Sequence, residues 1–369
     1  MHLRISGPTP LPPEVVAASA KPMIDPRSPE SVAIFREITN DLKELLETTG
    51  DVFLMASTGT GGVEAAVSNV ISPGEQVLNV SCGFFGDRVG DIAEAFGAKV
   101  QRLVFPDGDA ADPKAVENAL QQAPDTKVVM LTQHETWNGV VNPVEEIAAI
   151  ARRANALVLV DAVSSLGAMP LRMDPWGVDV VASVSQKGLM SPPGLACVAV
   201  SERAWEHVER AKASRFYFDL RKAKRVFKYT GLSPWTPPVS LLYAVQAALR
   251  LMRAEGFANV FQRHDRVAAL TRSRLAAANI SLVARKPEWA SNAVTAVYVP
   301  PTLKDIEGLL KLQREKYDVV FTGAQMKGKK PSLRIGHIGH VNERDMEIAI
   351  DLLDKSLREH GWDGQPYTV

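Results

Sequence analysis

Ala156-Leu157-Val158-Leu159-Val160-Asp161 is a run of five apolar residues that ends in a carboxylate. A strand covered on one face alternates apolar and polar side chains. This run is apolar at every position, so the strand it forms is buried on both faces, as in a parallel sheet packed between helices. Working outward, further strand-like runs occur at 53–55, 76–80, 100–105, 127–132, 178–183 and 196–200. Between them lie helix-like stretches at 63–70, 88–96, 113–122 and 144–154. Another precedes them at 30–47, where Val32, Phe35, Ile38, Leu42 and Leu45 recur near the helical period. Such alternation predicts an α/β fold with a mostly parallel, seven-stranded sheet covered by helices.

The ends of the chain read differently. The first thirty residues contain Pro8, Pro10, Pro12, Pro13, Pro22, Pro26 and Pro29. Proline fixes φ and lacks an N–H, so residues 1–29 are expected to form an extended arm rather than helix, lying on a partner subunit or on the rim of an active site. A second proline cluster, 234–238, precedes a long helix at 239–255 that continues as 257–277. Beyond it a strand near 293–299, a helix near 303–317, strands near 319 and 333, and a helix at 343–359 capped by Asn342 predict a smaller α+β domain. The expected division is an arm at 1–29, a large domain at 30–259 and a small domain at 260–369.

Composition narrows the function. The 369 residues carry 42 Lys plus Arg against 42 Asp plus Glu, without a basic stripe, which speaks against a nucleic-acid partner. Cys82 and Cys197 are too few for a disulfide framework or a four-cysteine zinc site. No apolar run reaches the roughly 20 residues of a membrane helix, and neither terminus carries a signal-peptide or peroxisomal pattern. A cytoplasmic protein without a membrane partner is expected. His337 and His340 lack a third ligand for a metal and read as structural or rim residues. His134 reads as a buried histidine with its hydrogen bonds satisfied.

Three features carry chemistry. Asp161 stands at the carboxyl end of a strand, where open α/β sheets bind ligands. Lys187 follows another strand within Ser185-Gln186-Lys187-Gly188, just before Ser191-Pro192-Pro193-Gly194; an amine held in such an apolar setting loses proton affinity and becomes a nucleophile or base. Thr58-Gly59-Thr60-Gly61-Gly62 precedes a helix, where free N–H groups favour an anion. A lysine for an imine, a carboxylate for a ring nitrogen and an anion site for a phosphate are together what pyridoxal 5'-phosphate requires.

These segments resemble class V, fold-type I aminotransferases, in particular the alanine–glyoxylate/serine–pyruvate branch. The resemblance runs through Gly7-Pro8-Thr9-Pro10, Met23-Ile24-Asp25-Pro26-Arg27-Ser28-Pro29-Glu30, Val160-Asp161-Ala162-Val163-Ser164-Ser165-Leu166-Gly167, Ser185-Gln186-Lys187 and Leu333-Arg334-Ile335-Gly336. It implies that Lys187 carries the cofactor as an imine and that Asp161 pairs with the pyridinium nitrogen. Val163 and Phe85 would cover the two ring faces, with Phe85 standing where many members have tryptophan. Thr58, Gly59, Thr60 and Gln186 would hold the phosphate, Thr136 would contact the cofactor, and Thr236 would come from the other subunit of a homodimer. Arg334 would clamp the substrate carboxylate, with Gly7 beside it. The implied reaction is a ping-pong transamination between a small amino acid, alanine or serine, and a 2-oxo acid, glyoxylate or pyruvate.

Two departures stand out. The motif usually written E-[ST]-[SA]-T-G is Glu135-Thr136-Trp137-Asn138-Gly139 here, so Trp137 is expected to restrict the substrate side chain. A tyrosine that normally precedes the partner threonine by three is Ser233, with Tyr229 as an imperfectly spaced substitute. Phosphoserine or aspartate aminotransferases are the alternative within the fold, for which Lys327, Lys329 and Lys330 would supply extra cations. A lyase or desulfurase is a further alternative, but it would need a cysteine on a loop around 320–335, and residues 322–328 there contain none.

Overall fold

A computed structural model describes residues 1–326 and 330–367. Seven strands form one sheet: β1 (Asp51–Ala56), β2 (Gln76–Ser81), β3 (Lys99–Val104), β4 (Val128–Thr132), β5 (Leu157–Asp161), β6 (Val180–Val184) and β7 (Leu195–Val200). Their spatial order is β1-β7-β6-β5-β4-β2-β3. Strand β7 runs antiparallel to β1 and β6, and every other pairing in this sheet is parallel. Strands β1, β2, β4, β5 and β6 therefore end at the same edge.

Helices α1 (Pro13–Ser19), α2 (Pro29–Leu45), α3 (Gly59–Val70), α4 (Phe84–Ala95), α5 (Pro113–Gln122) and α6 (Val144–Arg153) come from the first half of the chain. They are followed by α7 (Met173–Trp176), α8 (Glu202–Arg210), α9 (Leu220–Thr230), α10 (Val239–Glu255) and α11 (Phe257–Ala277). Leu157 and Leu159 of β5 pack with Val63 and Val67 of α3 and Val89 of α4. Val158 and Val160 share the opposite core with Ile38 of α2 and Ile147 of α6. Alternate residues of one strand feed opposite cores, which is why β5 is apolar throughout. Each such side chain, fully buried, contributes about 1.5–3 kcal/mol.

Past α11, β8 (Val294–Tyr298), β9 (Thr322–Met326) and β10 (Lys330–Gly336) form an antiparallel sheet in the order β8-β10-β9. Its core joins Val297, Leu333 and Ile335 to Leu309 of α12 (Ile306–Glu315) and Leu353 of α13 (Glu343–Glu359). Asn342 caps α13 in a reciprocal box with Asp345.

The N-terminal segment corrects one expectation. It is not extended throughout, because Pro13–Ser19 is helical, with Val15 packed on Ala244 and Ala248 of α10. Pro13 occupies the first helical position, where a missing N–H has no partner to lose. The segment before it runs along the C-terminal part of this same chain: His2–Leu3 forms a separate two-stranded parallel sheet with Val319–Val320, and Gly336 N donates to Arg4 O. Helices α3 and α4 also begin four residues earlier than the apolar spacing predicts. Thr58 caps α3 by accepting from Gly61 N, which draws the glycines into the first turn.

Candidate active site

The common carboxyl edge of the sheet gathers the singled-out residues. Asp161 closes β5, Ser185-Gln186-Lys187 follows β6, Thr58 follows β1, and Phe85 opens α4 after β2. Thr58, Gly59, Thr60, Phe85, Arg88, Asp161, Val163, Gln186 and Lys187 line one cavity there.

The turn that carries Lys187 is pinned by the N-terminal segment. Lys187 Nζ donates to Ser6 O at 2.5 Å, Thr9 Oγ1 donates to Lys187 O at 3.2 Å, and Thr9 N donates to Gln186 O. Gly7 has φ +120°, and a Cβ there would stand 2.6 Å from Lys187 Cδ. A side chain at position 7 would meet both a strained backbone and the lysine. Burial lowers the Lys187 ammonium to about 8; the nearby Arg334 cation acts in the same direction, and Asp161 acts against both. Burial raises Asp161 to about 6, opposed first by its hydrogen bond from Val163 N and then by the charge of Lys187.

Arg334 is buried on β10, and its Nε has no partner among the described residues. Burial lowers its pKa, while Glu135 acts to raise it. Its guanidinium carbon lies 5.2 Å from the centre of the Trp137 ring. Trp137 in turn stacks on Phe84, with centroids 5.2 Å apart. Thr136 Oγ1 donates to Ser164 Oγ at 2.5 Å, and the residue is buried beside the cavity rather than lining it.

Glu135 stands in the sequence only as the first letter of a motif, yet it organises this side of the site. It is wholly buried. Its Oε2 accepts from Phe85 N at 3.0 Å and Gly86 N at 2.9 Å, and its Oε1 accepts from Trp137 N at 2.9 Å. Residue Gly83 offers no side-chain cap to α4, so Glu135, just past the end of the neighbouring strand β4, serves that end. Burial pushes the Glu135 carboxyl up to about 7, against the three N–H groups that favour its charge. Ser6 and Arg88 also belong to the site. A backbone carbonyl 181 positions from the lysine whose proton it accepts gives no sequence signal, and an arginine a few places past a glycine turn gives little.

His134 corrects another expectation. Its Nδ1 lies 3.1 Å from Ser164 O, but its buried Nε2 has no partner among the described residues, and burial lowers it to about 4. His337 is structural, placed between Thr295 Oγ1 and Asn292 O, and His340 is exposed. Thr236 does not line the cavity of Lys187. It lines a separate one with Tyr217, Trp235 and residues of β1. Ser233 Oγ donates to Trp235 O, and Tyr229 is exposed. Lys327 and Lys329 lie outside the described residues; of Lys330 only the backbone, on β10, is described.

The cavity fits pyridoxal phosphate on its own geometry. Gln186 lines it, with a side-chain NH2 that can donate to an anion. Asp161 Oδ1 accepts from Val163 N at 2.8 Å, and its other oxygen has no hydrogen-bond donor among the described residues. The first turn of α3 presents N–H groups to the same space.

The comparisons with known proteins agree. The family model described as aminotransferase class-V matches residues 3–315. A protein named soluble hydrogenase, small subunit, from Synechococcus sp. (strain PCC 6716) is 40% identical, over 98% of this chain and 94% of its own. The L-aspartate–glyoxylate aminotransferase of Paracoccus denitrificans is 39% identical, over 92% of this chain and 86% of its own. The crystal structure of an alanine–glyoxylate aminotransferase from Nostoc sp. superimposes with a TM-score of 0.92 at 29% identity, covering 96% of this chain and 95% of that one.

Proposed function

The chain belongs to the class-V aminotransferases and is a pyridoxal phosphate-dependent transaminase; from that premise we propose that it moves an amino group between a small amino acid, alanine or serine, and glyoxylate or pyruvate. The observation that carries the reading is the Lys187 amine, lowered to about 8 in a cavity that also holds Asp161 and the first turn of α3. Glyoxylate is the acceptor named for two relatives. The hydrogenase name of another has no counterpart in the site, since neither Cys82 nor Cys197 lines the cavity and burial raises both thiols.

When bound, pyridoxal phosphate supplies an aldehyde that condenses with amines and a ring that takes up the electron pair left as Cα loses its proton. Lys187 would hold the cofactor and then, as a free amine, take the Cα proton at Nζ and return it. Ser6 O orients that amine through its hydrogen bond. Asp161 would keep the ring nitrogen protonated with its negative charge. Thr58, Gly59, Thr60 and Gln186 would hold the phosphate, and Val163 and Phe85 the ring. Arg334 would receive the substrate carboxylate, because a desolvated guanidinium with free donors suits bidentate binding.

We read the enzyme as a homodimer in which Thr236 of one subunit serves the site of the other. The exposed Phe216, Tyr217 and Tyr229 near that segment support this reading. The test of substrate class is a half-reaction screen: purified holoenzyme is mixed with each of the twenty amino acids and loss of the visible cofactor band is followed. Alanine and serine should discharge the band fastest. A preference for aspartate or phosphoserine would replace this reading with the aspartate or phosphoserine aminotransferase alternative.

A further inference from the structure

Arg88 is a half-buried guanidinium in the cofactor cavity. Its Nη1 donates to Thr60 Oγ1 at 3.2 Å. Its guanidinium carbon lies 4.9 Å from the Phe84 ring centre and 5.0 Å from that of Phe85. Among the described residues it forms no ion pair, whereas Arg102, Arg203 and Arg263 each pair with a carboxylate. Asp161, the carboxylate of the cavity lining, feels the Arg88 charge more weakly than that of Lys187. A guanidinium has five N–H donors, and one is spent here. A partly desolvated cation without a carboxylate in contact calls for an anion from outside the chain.

The cavity identifies that anion. Its lining contains two cations among the described residues, Lys187 and Arg88. Lys187 is committed to the cofactor aldehyde under the proposed function. Thr58, Thr60, Gln186 and the first turn of α3 are neutral donors. Arg88 is thus the charge left to balance a phosphate, and its planar fork matches phosphate oxygens. Position 233, the expected site of a tyrosine hydroxyl for the phosphate, is a serine whose hydroxyl is spent on Trp235 O.

We propose that Arg88 binds the cofactor phosphate: stacked on Phe84 and Phe85 and tied to Thr60, it supplies the positive charge of the phosphate site and stands in for the hydroxyl that Ser233 does not offer. This rests on the cofactor assignment above. It also explains the packing of the α4 start, since two adjacent aromatic rings fix a long side chain that would otherwise lose much rotamer entropy on binding.

The test compares two probes on the full-length protein stripped of cofactor. Pyridoxal phosphate and pyridoxal share the aldehyde and ring and differ in the phosphate. Arg88→Met keeps an unbranched side chain against the rings. It should weaken pyridoxal phosphate binding by about tenfold or more, the size of one charge-assisted hydrogen bond, and pyridoxal binding by less than about twofold. Arg88→Lys should fall between parent and Arg88→Met, and carries the comparison if Arg88→Met does not fold. Equal weakening of both probes would assign Arg88 to ring stacking through Phe85 and overturn the proposal. Unchanged affinity for both would overturn it too, as would a loss confined to turnover of aspartate relative to alanine at saturating cofactor. A parent protein that binds neither probe would instead refute the cofactor assignment, so the two failures are distinguishable.

Discussion

The guanidinium of Arg334 rests on the indole of Trp137, 5.2 Å from guanidinium carbon to ring centre. The arginine assigned to the substrate carboxylate is therefore held by the residue at which this chain departs from the usual motif. The other face of that packing is Phe84, stacked on Trp137.

Trp137→Ser removes both ring volume and the cation–π contact, which is worth roughly 0.5–2 kcal/mol. Michaelis constants for all donors should rise by about two- to tenfold as Arg334 loses its support. The preference for alanine over phenylalanine should relax by about tenfold or more, because the opened space admits a longer side chain. Steady-state kcat/KM on alanine, serine, aspartate and phenylalanine checks this. Unchanged ratios would mean that donor choice is set elsewhere, with the Gly7-Pro8-Thr9 turn next in line.

Capture of the cofactor should follow the Lys187 amine. Only the neutral amine attacks an aldehyde, and the folded-state pKa is depressed from 10.5 to about 8. The rate of cofactor uptake by stripped enzyme should therefore climb with pH up to about 8 and then level. Arg334→Gln removes a cation that helps to lower this pKa, so the levelling should move to higher pH. Stopped-flow absorbance from roughly pH 6 to 11, a range that spans the folded and the ordinary lysine pKa, measures both profiles. A parent profile still rising at the ordinary lysine pKa of about 10.4 would contradict the assignment.

Gly83→Ala tests the borrowed cap of α4. The added Cβ would stand 2.6 Å from Glu135 Cγ and 2.7 Å from its carboxyl carbon, so the carboxylate must shift away from Phe85 N and Gly86 N. Loss of a helix cap typically costs about 0.5–2 kcal/mol. A lower midpoint in urea unfolding is expected, together with raised Michaelis constants, since Trp137 N hangs on the same carboxylate. Gly74→Ala is the control for the added methyl group, because a Cβ there meets nothing within 4 Å, although its positive φ adds some strain of its own. A Gly83→Ala midpoint no lower than that of Gly74→Ala would contradict the capping role.

The sheet and the pairing of Lys187 with Asp161 in one cavity are legible in the sequence because each leaves a local signal. Strand β5 is apolar on both faces, and Lys187 sits in a polar turn after a strand with prolines and glycines beyond it. The rest depends on distant parts of the chain. Ser6 O meets Lys187 Nζ across 181 positions, and Glu135 caps a helix about fifty residues before it. Helix α1 is hidden because proline opposes helix everywhere except the first turn, which Pro13 occupies. Helix α9 contains Arg221-Lys222-Ala223-Lys224-Arg225 and reads as a solvated basic run. Its buried residues, Leu220 and Ala223, are too few to show the helical period.

Composite sites should be demonstrable by mixing subunits. Thr236→Ala subunits keep Lys187, and Lys187→Ala subunits keep Thr236, so a heterodimer of the two holds one intact site. Refolding an equimolar mixture should restore up to about a quarter of parental activity at limiting cofactor, well above either parent variant alone. No recovery, or full activity in a species that light scattering shows to be monomeric, would contradict the shared site.

The most direct measurement is to locate the covalent cofactor. Holoenzyme reduced with borohydride and digested should yield one modified peptide by mass spectrometry, with the phosphopyridoxyl mass on Lys187 within Ser185-Gln186-Lys187-Gly188. Lys187→Ala should lose both that adduct and nearly all turnover. An adduct on any other lysine of the parent, or an unmodified Lys187 in enzyme that retains its visible band and its activity, would contradict the account.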